Sequence, residues 1–260
     1  MLSINQRKRI RSLHQKKLRD QSGLFLAEGN KLIRDLLVCG SITSENTDLL
    51  CCTSDWLEIN RKIIRLDPAL IVETDPEELK KVTTLVTPPD VIAVLSKPEC
   101  RFSTDLLRED IVLVFESIRD PGNLGTIIRT ADWFGIKALI CSPDSVDTYN
   151  SKVIQASMGA IMRVGVHYME MDELFEMASR FKIPVYGTTM DGEDLYDTPV
   201  KIPSLMVFGN ESKGISDHLK TSFKQQIRIP DFPLKQAGTE SLNIASSVAV
   251  VCSEIRRRSR

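Results

Sequence analysis

The 260-residue chain lacks the marks of several common protein classes. Its three histidines, His14, His167 and His218, stand far apart, so no histidine-built metal site is expected. Six cysteines, at 39, 51, 52, 100, 141 and 252, form no CxxC pair and no cluster with histidine. Several lie in apolar runs such as "LLCCT" and "ALICSP", the pattern of buried free thiols in a reducing compartment. No apolar run approaches the roughly 20 residues that cross a bilayer, and the first residues show no signal-peptide pattern. The expected location is the cytoplasm, away from any membrane. Neither G-x-G-x-x-G nor G-x-x-x-x-G-K-[ST] occurs, which counts against a nucleotide- or NAD-dependent α/β enzyme. Internal repeats and low-complexity segments are also missing.

Net charge is −1, with 34 Lys+Arg against 35 Asp+Glu, so bulk charge says nothing about nucleic acid. The distribution says more. Arg7, Lys8, Arg9, Arg11, Lys16, Lys17 and Arg19 precede the first acid, Asp20. Arg256, Arg257, Arg258 and Arg260 close the chain. Such runs can neutralise RNA phosphates, with a salt-dependent affinity. They can equally be a solvated helix face and arginines complementing a helix C-terminus, and both readings stay open.

Periodicity predicts an α/β organisation in two parts. Residues 1–100 read as a basic helix, "INQRKRIRSLHQKKLRD", followed by "SGLFLAEG" as a strand and "NKLIRDLLVCG" as a helix. "DLLCCT" is then a strand, "TDPEELKKV" a capped helix and "DVIAVLSKPE" a strand. The polar, proline-bearing stretch at 101–109 reads as a linker. Residues 110–260 alternate strand and helix. Their near-continuous apolar strands indicate a mostly parallel sheet covered on both faces.

Three stretches of this second part carry polar or small residues where strand patterns end, the place where open α/β sheets bind ligands. "DPGNLGTIIRTADWFG" (120–135) reads as a capped helix, with Asn123 a plausible N-cap and Gly135 the stop. Arg129 shares a stripe with Gly125 and Asp132. Taken alone it reads as a surface arginine paired with Asp132. "VFGNESKGIS" (207–216) is a glycine-bounded turn carrying Asn210, Glu211 and Lys213. "IRIPDFPLKQAGTESLNIASSVAV" joins a stiff loop, with Pro230 and Pro233, to a helix that starts near Ser241 and Asn243.

With "NLGTIIRTADWFG", "FGNESKGIS" and "IP…SLN" in this order, the chain resembles the SpoU-type RNA 2′-O-ribose methyltransferases of the SPOUT class. "NSKVIQASMGA" is also similar to the family. "GLFLAEGNKLIRDLL" is similar to the small L30e-like substrate-binding domain that often precedes the catalytic one. The resemblance implies an N-terminal L30e-like α/β domain over 1–100 and a SPOUT catalytic domain over 110–260, with a parallel sheet and a deep C-terminal trefoil knot. It implies S-adenosylmethionine held by Thr188, Gly209, Asn210, Ile229 and Leu242, on loops near Thr188, at 209–211 and from 229 to 242. It also implies a homodimer formed through the knot region.

The implied reaction moves a methyl group to a ribose 2′-hydroxyl of RNA, ribosomal RNA being favoured over transfer RNA. Asn123, Arg129, Glu211, Ser241 and Asn243 would form the catalytic set. Free arginine titrates too high to be a comfortable base. Arg129 is therefore expected to bond the developing alkoxide or the adjacent phosphate, with Asn123 orienting Arg129 or the substrate and Glu211 orienting Arg129 or accepting from the ribose. Ser241 and Asn243 would complete the pocket floor. The competing reading is a non-catalytic RNA-binding or ribosome-assembly protein on the same fold.

Overall fold

The structure, a computed structural model, describes residues 1–232 and 241–259. The chain forms two compact units. One comprises Met1–Glu99 with Asp147–Met162, and the other Cys100–Val146 with Arg163–Arg260.

The first unit is built from α1 (Ile4–Ser12), α2 (Lys16–Ser22), β1 (Leu24–Glu28), α3 (Asn30–Val38), β2 (Thr47–Cys52), α4 (Ser54–Asn60), β3 (Ile71–Glu73), α5 (Pro76–Lys80) and β4 (Val91–Ser96). Its sheet has the order β1-β4-β2-β3. β4 runs antiparallel to β1 and β2, and β3 runs parallel to β2. The basic helix expected at the N-terminus is two helices. Ser3 and Gln6 close a capping box on the first, and the extended backbone of Gln15 interrupts the helical ladder before the second. α3 buries Leu32, Ile33, Leu36 and Leu37, the stripe that its sequence spacing predicts.

The segment 147–162 packs with this unit although it falls in the second part of the sequence. Ile154 and Ile161 join the core with Leu32 and Leu36, and Tyr149 lies 5.1 Å from Phe25, ring to ring. Gln155 donates to the Glu28 carbonyl at 2.6 Å. The second unit starts at Cys100 and takes in the whole stretch read as a linker, where α6 (Leu106–Glu109) buries Leu107 completely.

The second unit continues with β5 (Ile111–Phe115), α7 (Pro121–Trp133) and β6 (Ala138–Cys141); α8 (Ser151–Ser157) belongs to the first unit. Then come β7 (Gly165–Tyr168), α9 (Met171–Phe181), β8 (Val185–Asp194), β9 (Ser204–Phe208), α10 (Asp217–Lys220), β10 (Gln225–Arg228) and α11 (Ile244–Arg258). The six strands are all parallel, in the order β10-β8-β9-β5-β6-β7. β5, β6 and β9 are buried at every residue, as apolar strands covered on both faces must be.

The strand order reverses between β5 and β9. The chain leaves β5 towards β6 on one side and leaves β9 towards β10 on the other. This parts the loops above their carboxyl ends and opens a crevice there. β5 and β9 end in the stacked pair Phe115 and Phe208, with centroids 5.4 Å apart. The path between Phe232 and Ser241, on which the implied knot turns, lies outside the described residues, as does Pro233.

Four of the cysteines, at 51, 52, 141 and 252, are buried free thiols, and burial pushes each of them up to about 12. Cys39 and Cys100 are exposed, contrary to the buried reading. No described helix is long and apolar enough to cross a membrane.

Candidate active site

α7 begins at the crevice. Asp120 is its N-cap, accepting from the Asn123 N–H at 2.7 Å, with Pro121 in the first turn. The cap expected at Asn123 is therefore three residues earlier. An Asp followed by Pro is itself a helix-start signal. Leu124, Ile127, Ile128 and Ala131 bury the inner face of the helix, and Gly135, at φ 69°, follows its end.

Capping by Asp120 frees the Asn123 side chain to reach two other loops. Asn243 caps α11 by accepting from the Ala245 N–H at 2.9 Å, which turns its Nδ2 outward. That Nδ2 donates to Asn123 Oδ1 at 3.0 Å. Asn123 Nδ2 in turn donates to Glu211 Oε1 at 3.0 Å. Each bond fixes the amide orientation of the next, and one carboxylate oxygen of Glu211 is thereby aimed and held. Residues 88 and 120 positions apart in the chain meet here.

The loop bearing Glu211 is tight. Asn210 and Gly214 exchange backbone hydrogen bonds at 3.0 and 2.8 Å, with Gly214 at φ 67°. A Cβ on Gly209 would lie 2.2 Å from the Gly214 carbonyl carbon, so only glycine allows the chain to close on itself there. The loop is tied to the end of β5. Asn210 Nδ2 donates to the Ser117 carbonyl at 2.9 Å, and Glu116 accepts from the Ser216 N–H at 2.9 Å. Asn210 Oδ1 accepts from the N–H groups of Ser212 and Lys213. The Asn210 side chain, expected on the cofactor, is thus engaged as a clamp within the protein.

Arg129 lies outside this network. It is exposed and has no hydrogen bond or ion pair among the described residues. Asp132, its expected partner, is held instead by Arg163 through Nε and Nη2 at 2.6–3.1 Å. Ser241 is exposed and is not part of the chain of amides; the helix cap is Asn243 rather than Ser241.

The residues expected on the cofactor follow three adjacent parallel strands, β10, β8 and β9. Thr188 sits where β8 stops pairing with β9 and donates to the Val207 carbonyl at 3.0 Å. From there β8 loops out, since its pairing with β10 jumps from Gly187 to Glu193. The buried hydroxyl of Thr189, inside this loop, has no partner among the described residues. Ile229 follows β10 and is half-buried, whereas Leu242 is 54% exposed, an apolar side chain without a cover. An unpartnered hydroxyl, main chain beyond strand ends and open apolar surface suit a nucleoside with an aliphatic arm. No group of acids, cysteines and histidines that could hold a metal occurs among the described residues.

In both basic stretches the described arginines are engaged by acids or carbonyls of the protein. Arg19, expected at RNA, is 5% exposed. It donates to the Leu13 carbonyl at 2.7 Å and pairs with Asp147 at 2.5 Å. Arg7 and Arg9 pair with Glu78 and Asp48, and Arg11 donates to the Lys81 carbonyl. Lys8, Lys16 and Lys17 stay exposed. At the other end of the chain Arg256 binds Asp110 and the Phe134 carbonyl, while Arg257 and Arg258 converge on Glu254. Arg260 lies outside the described residues.

Residues 110–253 match the SpoU rRNA Methylase family, and residues 5–93 match the MRM3-like substrate binding domain. The chain belongs to the SpoU rRNA methylase family. Its α/β fold with a parallel sheet is that of the SPOUT class. A TrmH-family protein from Porphyromonas gingivalis superposes with a TM-score of 0.85 at 35% identity, over 99% of both chains. An rRNA methyltransferase from Sinorhizobium meliloti, solved with AdoMet bound, does so with a TM-score of 0.79 at 27% identity, over 99% of this chain and 97% of that one. Among curated relatives, the 23S rRNA (guanosine(2553)-2′-O)-methyltransferase of Bacillus subtilis is 27% identical over 95% of this SpoU-family chain and 94% of its own.

Proposed function

We propose that this SpoU-family chain methylates a ribose 2′-hydroxyl of ribosomal RNA, using S-adenosylmethionine. The observation that carries the reading is the hydrogen-bonded chain Asn243–Asn123–Glu211 at the strand-order reversal, with Arg129 left unpaired on the same helix. A carboxylate so fixed, with a free arginine further along the helix that carries Asn123, suits a site that handles a hydroxyl group. The AdoMet-bound relative from Sinorhizobium meliloti and the rRNA 2′-O-methyltransferase from Bacillus subtilis support the cofactor and the RNA class.

When bound, S-adenosylmethionine supplies an electrophilic methyl group on a sulfonium. The chain's own residues have to bring the hydroxyl into line and handle its proton. Glu211 accepts a hydrogen bond from the ribose, held in place by Asn123. Arg129 donates to the oxygen as negative charge develops, or to the neighbouring phosphate. Thr188, Gly209, Ile229 and Leu242 border the cofactor, and Asn210 holds the loop that carries Gly209 and Glu211. Ser241 sits at the start of α11 as part of the pocket floor.

Residues 1–100 serve as the RNA-binding part, with exposed Lys8, Lys16 and Lys17 at its basic helices, and 110–260 as the catalytic part. The chain works as a homodimer in the cytoplasm. α7 and α11 pack together and leave Trp133 85% exposed, a large apolar side chain suited to a second copy.

The test is direct. Calorimetry should detect S-adenosylmethionine binding to the purified chain. Mapping of 2′-O-methyl positions in total RNA, with and without the gene, should show one ribosomal position lost. Binding without any lost RNA methylation would favour the ribosome-assembly reading, and a lost transfer-RNA position would move the substrate.

A further inference from the structure

Arg119 stands one residue before the α7 cap, in the loop that follows β5. Its Nη2 donates to Asp144 Oδ2 at 2.6 Å, yet the side chain remains 62% exposed. The Nε and Nη1 edges have no partner among the described residues. An exposed pair of this kind contributes little stability by itself.

Asp144, however, is built in from several sides. Ser142 Oγ donates to Oδ1 at 2.5 Å, and Ser117 Oγ donates to Oδ2. The same Ser142 Oγ accepts from the Ser117 N–H at 2.7 Å, while the Ser117 carbonyl accepts from Asn210. Each backbone and side-chain polar group of Ser117 is thus used, and its φ is 57°, in the left-handed region that serine seldom adopts. A backbone held in such a conformation at a site edge must be over-determined by its surroundings. Here the surroundings are the loops after β5, β6 and β9.

These bonds lead to one outward-facing group, the Arg119 guanidinium. The other acids close to it in the chain are committed elsewhere: Glu116 to Ser216, and Asp120 to the helix cap. We propose that Arg119 is an RNA-contact residue. Asp144, braced by Ser117 and Ser142, holds it so that its free edge grips a phosphate next to the ribose being methylated. This deepens, and rests on, the RNA methyltransferase reading. A planar fork with one edge pinned offers its remaining donors in a fixed direction, the geometry suited to phosphate oxygens. Arg129 then remains free for the reacting ribose.

The carboxylate of S-adenosylmethionine is the other anion that such a fork could take, and the experiment separates the two. The probe is deproteinised rRNA from a strain lacking the gene, with RNA and cofactor affinities measured for wild type, Arg119→Ala, Arg119→Lys and Asp144→Asn. Arg119→Ala should raise the RNA KM and Kd about tenfold and reduce the salt slope by roughly one contact, with cofactor Kd and kcat close to wild type. Arg119→Lys should keep the salt slope but not the affinity. Asp144→Asn should weaken RNA binding in wild-type Arg119 and add nothing to Arg119→Ala. Unchanged RNA affinity and slope in Arg119→Ala would overturn the proposal, as would a selective loss of cofactor affinity. If the wild type transfers no methyl group but binds rRNA in an Arg119-dependent way, the enzymatic reading fails and the contact stands. If it is active and Arg119→Ala binds rRNA normally, the contact alone fails.

Discussion

Arg163 holds Asp132 with two nitrogens, so the acid one turn beyond Arg129 on α7 is already taken. The surface pair expected between Arg129 and Asp132 is therefore not formed. An arginine at that spacing from an aspartate ordinarily forms a surface pair of little consequence. With Asp132 engaged, Arg129 keeps its donors.

Arg129→Ala should therefore leave the fold and the cofactor affinity intact while methyl transfer falls. Loss of one donor to developing negative charge costs about 10²–10³ in kcat. Calorimetry for cofactor binding and a transfer assay on rRNA read the two effects separately. Transfer near the wild-type rate would remove Arg129 from the site.

Gly209→Ala should damage the crevice through the backbone. The new methyl group would meet main chain at Gly214 and Ile215, which cannot rotate away as a side chain would. Opening the loop should cost about 1–3 kcal/mol in denaturant unfolding and weaken cofactor binding as well. A variant with wild-type stability and affinity would show that the loop is more compliant than its packing indicates.

The N-terminal basic residues should separate into two classes. Charge reversal at Lys8, Lys16 and Lys17 should weaken rRNA binding and flatten its salt dependence without lowering stability. Arg19→Ala should behave differently, because it strands Asp147, and destabilisation of about 3–5 kcal/mol is expected for a broken buried pair. Equal effects of both classes on RNA binding, at unchanged melting temperature, would contradict this division.

Glu254 gives a pH signature. The hydrogen bond from Arg257, with help from Arg258, pulls its carboxyl down to about 2 from an ordinary 4.5. A depressed folded-state value stabilises above the unfolded value, and that contribution disappears as pH falls from 4.5 towards 2. The melting-temperature gap between wild type and Glu254→Gln should thus be open at neutral pH and narrow on acidification through this window. A constant gap would mean that the ionised carboxylate does not hold α11 through these arginines.

Much of the fold was legible because its signals are local. Apolar strands alternating with helices in 110–260 point to a parallel sheet, and α7 and α3 bury the stripes that their spacing predicts. Other features required distant partners. Residues 147–162 look like another strand-to-helix step, but Ile154 and Ile161 pack with Leu32 and Leu36, far earlier in the chain. Arg19 looks like its basic neighbours until Asp147 is found beside it.

For the site, the sequence alone determined the inventory: Asn123, Arg129, Glu211 and Asn243, in three stretches whose order resembles one family. It also placed them after strands, because apolar runs and polar breaks are properties of consecutive residues. Only the tertiary structure decided what each side chain is used for. Asp120 takes the cap and releases Asn123. Asn123 then joins Asn243 to Glu211, the Asn210 side chain ties its loop to Ser117, and Asp132 goes to Arg163 instead of Arg129. The physical reason is that a hydrogen bond depends on a few tenths of an ångström and on angle. Partners brought together across 88 or 120 residues by sheet order leave no trace in the local pattern.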